Sequence, residues 1–527
     1  MILSDKKKRS HRTYIGFIVI IIASIALSGI GKAWYYFNSG ADRSRALNLP
    51  PNIPDAHTPR IEWLPDDPNT GRPMEVFTRQ QLVSDYIRGL YQWQLSYMAG
   101  KPVGLKEYFT PAAYPKALYA INTLYKKKIT LHQTDLEHHI KLHFYSADGQ
   151  IVSFTDKRVL HKQRLFEGKT KLVSSESVDD YDIVMLLDDG YWRIKHFVKH
   201  RPSPLDFTKK DSIVDKTHFV SVDKKRFILD GKPFQPKGIN YYPQKTPWSF
   251  FWTQYDSTVI KKDFLLIHKL GFNTVRIFIN FQDFEKGLVP EIRLLQLENI
   301  LNIAERTHLK VLVTLFDFMG DYRLLNFAPS DRQLETILHR FQGHPAVFAW
   351  DLKNEPDLDF KHHPEEDVKE WLAWILPRAR KYDPNHLLTV GWAYPEDATL
   401  FKDDVDFISF HSYRTVKELE DGIFILKAEI KNKPLVLEEF GMSTYRGLWV
   451  PFGGNEAKQE SYIHDVQQVL KQNGNIPYLL WTLYDFTDVP GDIAGKYPWQ
   501  RYPQKSFGII KANGQLKQAG KTFLKVK

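Results

Sequence analysis

Two glutamates stand where this chain would do chemistry. An apolar run at 346–350 leads into Asp351-Leu352-Lys353-Asn354-Glu355, and Pro356 stops it. That pattern predicts a buried strand that delivers Asn354 and Glu355 to a mouth. Further on, Leu435-Val436-Leu437 runs into Glu438-Glu439-Phe440-Gly441 in the same way. Two strand-end carboxylates in one α/β domain are what retaining glycoside hydrolysis needs, one as acid/base and one as nucleophile. Either motif alone reads equally well as a loop carboxylate, so the surrounding elements must decide. Neighbouring residues of a strand point to opposite faces, so only one of Glu438 and Glu439 is expected inside the mouth. Spacing does not choose between them.

The elements that would position these residues repeat as strand then helix from residue 234 onward. Candidate strands are 235–241, 273–279, 310–316, 347–353, 387–390, 407–411, 435–439 and 478–482. Helical stretches fall at 257–270, 291–307, 331–341, 365–382, 395–400, 416–431, 456–472 and 515–524. This count and length predict an α/β fold, a (β/α)8 TIM barrel, whose site lies at the C-terminal ends of the strands. Arg276, Asn354, Glu355, His411, Glu439 and Trp481 all fall at such ends.

The segments Thr274-Val275-Arg276-Ile277-Phe278, Leu352-Lys353-Asn354-Glu355-Pro356, Phe410-His411-Ser412-Tyr413, Leu437-Glu438-Glu439-Phe440-Gly441 and Leu479-Leu480-Trp481-Thr482-Leu483-Tyr484-Asp485, in that order, resemble the clan A glycoside hydrolases. The closest resemblance is to glycoside hydrolase family 5, the cellulase and β-mannanase family, and it covers the chain from about residue 234 to the end. It implies a retaining β-glycosidase with Glu355 as general acid/base and Glu439 as nucleophile. Arg276, Asn354, His411, Tyr413 and Trp481 would bind substrate or hold these groups, and no cofactor or metal is implied. The chemistry agrees with these roles. Arg276 would stabilise the charge of Glu439, and the Tyr413 hydroxyl would orient it. Glu355 must keep its proton near neutral pH, which a second carboxylate and an apolar wall favour. Asn354 suits a hydrogen bond to a sugar 2-OH, and Trp481 offers an aromatic face. Arg276 in a purely structural ion pair and Trp481 as core packing are the plainer alternatives.

Two departures stand out. Phe316-Asp317-Phe318-Met319 occupies the end of the third strand, where many family members have a histidine; this segment resembles the mannanase branch more than the cellulase branch. Phe348 stands where the family has a smaller aliphatic residue. Further aromatics near strand ends, Tyr241, Tyr242, Trp248, Phe316, Tyr322, Trp392, Tyr394 and Tyr484, divide between subsites and core.

Ahead of the barrel, residues 76–200 predict a small α+β domain. Helices at 80–98 and 111–127 precede strands at 129–131, 136–145, 151–160, 171–177, 181–187 and 191–198. This order resembles the NTF2-like fold, which can enclose a ligand or dock a partner; no such partner is identified. His138, His139, His143 and His161 show no metal-ligand spacing and read as ordinary polar residues. Residues 201–216 mark a boundary, and a hairpin near 219–231 is expected to floor the barrel, which extends over 219–527.

The N-terminus points to a membrane. Residues 13–31 hold no charge, long enough for a transmembrane helix. Lys6, Lys7, Lys8, Arg9 and Arg12 precede it, and Trp34, Tyr35 and Tyr36 follow, as the positive-inside rule and an aromatic belt require. Residues 1–37 are therefore expected to be a short cytoplasmic tail and single-pass anchor, with the catalytic domain on the periplasmic or extracellular side. A cleaved signal peptide ending near Ala26-Leu27-Ser28 is the rival. Residues 38–75, with seven prolines, predict a spacer.

Composition narrows the classes further. There is no cysteine, which excludes disulfides and thiol nucleophiles. The net charge of +10 is scattered apart from the N-terminal cluster, so nucleic-acid binding is not expected. The expected substrate is a β-linked polysaccharide or oligosaccharide outside the cytoplasm. Transglycosylation and a non-catalytic carbohydrate-binding scaffold are the alternative functions.

Overall fold

The computed structural model describes residues 53–202, 218–495 and 497–524. The expected anchor at 13–31 lies outside them. Among the described residues, no helix is long and apolar enough to cross a membrane.

The small domain is a five-stranded sheet under two main helices, α1 (Val76–Ala99) and α2 (Tyr114–Lys126). Its strands are β1 (Arg60–Trp63), β2 (Ile129–Tyr145), β3 (Ile151–Glu167), β4 (Thr170–Asp188) and β5 (Tyr191–His200). The sheet runs in the order β1 to β5, antiparallel except for β1, which lies parallel to β2. Residues expected as a spacer therefore form part of the domain. Arg60–Trp63 lies between two prolines and keeps its own N–H groups free to pair. Strands β2 and β4 are each continuous where the sequence suggested two. Pairing shifts register between Asp135 and Glu137 and between Asp156 and Val159. The bulge in β2 interrupts the alternation that marks a strand; the second bulge lies in β3, opposite residues 179–181 of β4. His138 hydrogen-bonds Asp156 and His161 bonds Asp135, each at 2.6 Å.

The barrel closes through eight parallel strands: β9 (Lys237–Asn240), β10 (Thr274–Asn280), β11 (Lys310–Asp317), β12 (Val347–Asn354), β13 (Leu387–Trp392), β14 (Ile408–Ser412), β15 (Leu435–Phe440) and β16 (Tyr478–Leu480). Most were legible as apolar runs, because strands covered on both faces are largely hydrophobic; Lys237–Asn240 carries only one apolar side chain, Ile239. Helices follow seven of them. Residues 393–407 after β13 form turns, not the expected helix at 395–400.

The hairpin forms a three-stranded sheet, β6 (Ser221–Asp223), β7 (Arg226–Leu229) and β8 (Lys232–Phe234). Phe227 packs against Phe348 and Phe407, both at 5.2 Å between ring centroids, in a cluster with Leu312, Ala349, Val436 and Leu479 from the barrel strands. Phe348 thus fills the barrel floor, which accounts for a large residue at that position. The small domain docks outside the barrel. Leu136 and Leu160 join the barrel core, and Arg378 bonds Glu137 at 2.6 Å while Arg164 bonds Glu370 at 3.2 Å.

Candidate active site

The cleft at the C-terminal ends of the strands has a volume of about 390 Å³, within the range of small-molecule sites. Asn354, Glu355, Tyr413, Glu439 and Trp481 line it, as do Tyr242 and Trp248. Arg276 and His411 do not. Both are fully buried beneath the cleft and act on the carboxylates.

Glu439 is held from two sides. Arg276 Nη1 donates to Oε1 at 2.5 Å, and the Tyr413 hydroxyl donates to Oε2 at 2.8 Å. The rest of the Arg276 guanidinium is committed. It donates to Thr314 at 2.9 Å, Asn240 at 3.2 Å, Asp351 at 2.7 Å and Asn354 at 3.0 Å. Burial disfavours its charge, but Glu438, Asp351 and Glu439 outweigh burial and push its pKa up. Such a fork locks the geometry in a way a lysine would not.

Glu355 leaves β12 in the left-handed region, at φ 49° and ψ 52°. Its N–H donates to the carbonyl of Gly391 at 2.7 Å. A left-handed non-glycine residue costs about 1–2 kcal/mol, and such strain collects where function fixes a side chain. A β-carbon at Gly391 would come too close to the Glu438 carboxylate, which would have to shift. The Glu355 side chain meets His411 Nδ1 at 2.9 Å. Burial pulls the imidazolium down, yet Glu439, Glu355 and Glu438 outweigh it and raise His411 to about 10. Burial would raise Glu355, but the hydrogen bond and charge of His411 outweigh it and hold the carboxyl below its usual range. The expectation that Glu355 itself keeps its proton therefore fails. A sequence does not show that an imidazole will sit beside it. The proton belongs to the Glu355–His411 pair, on the Nδ1···Oε1 hydrogen bond.

Glu438 also departs from expectation. It points into the barrel, fully buried, 3.4 Å from His411 Nε2 and 3.7 Å from Arg276 Nη2. Strand pairing explains this. Phe410 pairs with Leu437 and His411 with Glu439, so Glu438 is the extra residue of a bulge. Neither of its oxygens has a hydrogen-bond partner. Asp351, Asn240 and Thr314 were likewise not anticipated, since nothing local distinguishes a polar residue inside a strand from one at its surface edge. Phe278, Phe318, Gln504 and Phe507 also line the cleft; Gln504 ends the short helix Pro498–Gln504 and Phe507 follows it, in a stretch with no periodic signal. Tyr241 and Tyr484 are core residues whose hydroxyls bond Asp263.

One oxygen of Glu355, one of Glu439 and a nitrogen of His411 lie within 4.8 Å of one another. That spacing suits a metal ion, and it equally suits an acid/base facing a nucleophile. Arg276, bonded to Glu439, already supplies positive charge there.

Asp317 occupies the end of β11, in the cleft. Burial pushes its carboxyl up to about 7, against Lys353 and Arg276, with Glu439 and Glu355 adding to the rise. Near neutral pH it is half protonated and can donate to a sugar hydroxyl. Between its ordinary 3.8 and about 7 the folded protein keeps a proton that the unfolded chain releases. Its contribution to stability therefore falls as pH rises through that window. Asp317→Asn should shrink the Tm difference between pH 5 and pH 8 by several degrees. An unchanged difference in thermal melts would refute this assignment.

A family model agrees with the geometry. Residues 228–487 match the family model described as Cellulase (glycosyl hydrolase family 5). The β-glucuronidase of Chlorocebus aethiops is 23% identical over 320 residues, covering 55% of this chain and 46% of that protein. The chain thus spans less than half the length of this curated relative. Among solved structures, an exo-beta-1,4-mannosidase from Opitutaceae bacterium strain TAV5 is 18% identical, with TM-score 0.47 over 59% of this chain and 61% of the other. An endo-1,4-beta-mannanase from Rhizomucor miehei is also 18% identical, with TM-score 0.43 over 58% of this chain and 99% of the other. The closed eight-stranded barrel, the paired glutamates at its mouth and the family match converge: residues 228–487 are a glycoside hydrolase domain of family 5.

Proposed function

We propose that this protein is a retaining β-glycosidase acting on a neutral β-linked glycan. The observation that carries the reading is the approach of Glu355 and Glu439 within 4.8 Å across the cleft. Retaining enzymes hold their carboxyl groups about 5–5.5 Å apart, and inverting ones leave room for a water at about 6.5–9.5 Å. Glu439, oriented by Arg276 and Tyr413, attacks the anomeric carbon and displaces the leaving oxygen. As that bond forms, the Glu439 charge is consumed, and His411 loses the strongest influence holding its proton. The proton of the Glu355–His411 pair then passes to the leaving oxygen. In the second step Glu355 takes a proton from water, which attacks the glycosyl ester and restores Glu439. A sugar hydroxyl in place of water would make the same residues a transglycosylase.

Charge supports a neutral substrate. Asp317, Glu355 and Glu439 line the cleft, and none of the described residues lining it is Lys or Arg. A uronic acid, of the kind the name β-glucuronidase implies for that relative, would bring a carboxylate to three others. The uncharged stretch at 13–31 with its basic flank supports a membrane-anchored enzyme whose catalytic domain lies outside the cytoplasm. The order of elements in the small domain supports an NTF2-like reading of it.

The test is a screen of the detergent-solubilised full chain on defined neutral and uronic β-linked oligosaccharides. NMR of the first product should show a β anomer from a neutral glycan. An initial α product, or cleavage of uronides alone, would refute the proposal. Membranes washed in high salt should retain the protein until detergent is added; release by salt would refute the anchor.

A further inference from the structure

The loop after β15 ends in an apolar tip that the rest of the protein does not cover. Leu448 is 85% exposed and Phe452 93%. The tip is an ordered turn: Val450 N–H donates to Gly447 O at 3.0 Å, and Gly453 N–H to Val450 O at 3.1 Å. The segment after β16 braces it. Thr444 N–H donates to Ser506 O at 2.9 Å, and the Tyr445 and Tyr502 rings stack at 5.3 Å. Half-exposed Trp449 lies 5.9 Å from Trp499, which stacks on Tyr497 at 4.6 Å. A single exposed apolar side chain needs no explanation, but an ordered apolar tip rimmed by aromatics marks a contact surface. Its charge is slightly basic. Residues 441–455 carry Arg446 and no acid, and residues 488–508 carry Lys496, Arg501 and Lys505 against Asp488 and Asp492.

The course of the chain indicates what covers this tip. The described residues begin at 53, and Asp55–His57 lies against Glu285–Gly287 and Phe327–Phe341, which follow β10 and β11 at the mouth of the barrel. Arg332 Nη1 donates to the Asp55 carbonyl at 3.4 Å. Residues 32–52, 21 in all, separate this point from the uncharged stretch at 13–31. Such a leash spans at most about 70 Å. It joins the same end of the barrel from which the tip projects. We propose that Leu448 and Phe452 insert into the lipid surface that holds the anchor, with Trp449, Tyr497 and Trp499 at headgroup level, so that the mouth of the barrel faces the bilayer. Apolar side chains flanked by Trp, Tyr and a few bases are what the bilayer interface takes up. The inference rests on the anchor reading above and adds the orientation of the catalytic domain.

The chain has no cysteine, so a single introduced one carries a label at one place. Full-length Leu448→Cys, Phe452→Cys and Phe424→Cys, each labelled with nitrobenzoxadiazole, are reconstituted in phosphatidylcholine vesicles and collected by flotation. Phe424 is the control, 76% exposed on the helix Val416–Glu429 at the flank of the barrel. With spin-labelled phosphatidylcholine, the labels at 448 and 452 should lose about half their emission, as groups about 5–10 Å into the interface do. The label at 424 should lose little. Adding Phe452→Asp should restore most of the emission at 448. No quenching at 448 and 452, or equal quenching at all three positions, overturns the proposal. A blue shift at 448 that rises with protein density and ignores the spin label would give the tip to a second copy. Protection of the label by soluble β-1,4-glucomannan without quenching would give it to a glycan. Each of these also overturns the proposal. If the protein does not float with the vesicles, the anchor reading fails, and the labelled protein is instead mixed with a large excess of the same vesicles. Quenching confined to 448 and 452 would still support the tip, and its absence would overturn it.

Discussion

Glu439→Ala is expected to abolish turnover, with kcat falling on the order of 10⁴-fold or more, because no covalent intermediate can form. The space left by the carboxylate should admit azide, which would attack the anomeric carbon from the same side. Activity should return in part, with a glycosyl azide of inverted configuration as product. Glu355→Ala should behave differently. On a glycan, whose departing oxygen needs a proton, it should cost about 10²–10⁴-fold. On an aryl glycoside with a good leaving group the first step should be nearly intact, and the glycosyl-enzyme should accumulate. Azide rescue of Glu439→Ala with retained configuration would remove the nucleophile assignment. If both variants remain active on a substrate the wild type cleaves, the paired-glutamate mechanism is wrong.

The second large effect concerns Glu438. With Glu439 placed in the mouth, alternation turns this residue away from it, where it should tolerate replacement. Its position beneath His411 and Arg276 reverses that expectation. In the active form the Glu355–His411 pair holds one proton, so the alkaline limb of kcat/KM reports loss of that proton. His411 is raised to about 10 by Glu439, Glu355 and Glu438 acting against burial. Glu438→Gln keeps the volume and removes one of those charges. The imidazolium should then lose its proton at lower pH, and the alkaline limb should move down by about one unit or more. Activity at pH 9 should fall much more than activity at pH 6. A variant that only melts earlier, with an unshifted pH profile, would reduce Glu438 to a packing role. A variant inactive at every pH, alongside a live Glu439→Ala, would exchange the roles of the two neighbours.

The barrel was legible in the sequence because its rules are local and periodic. A strand covered by helices on one side and filled by its neighbours on the other must be largely apolar, as β11 is between Lys310 and Asp317. The change from apolar run to polar end therefore marks the mouth, and Asn354, Glu355 and Glu439 line it. The division of labour among them was not local. Arg276 and His411 lie beneath the cleft because the barrel closes over them. Glu438 turns inward because its strand gains a residue against β14, and no pattern within β15 records the register of its neighbour. The apolar tip and its aromatic rim likewise join loops that are distant in sequence. What the chain determined by itself was which residues reach the strand ends. What the tertiary structure decided was which of them share a proton, because charge coupling depends on distances of a few ångströms between strands that are remote in sequence.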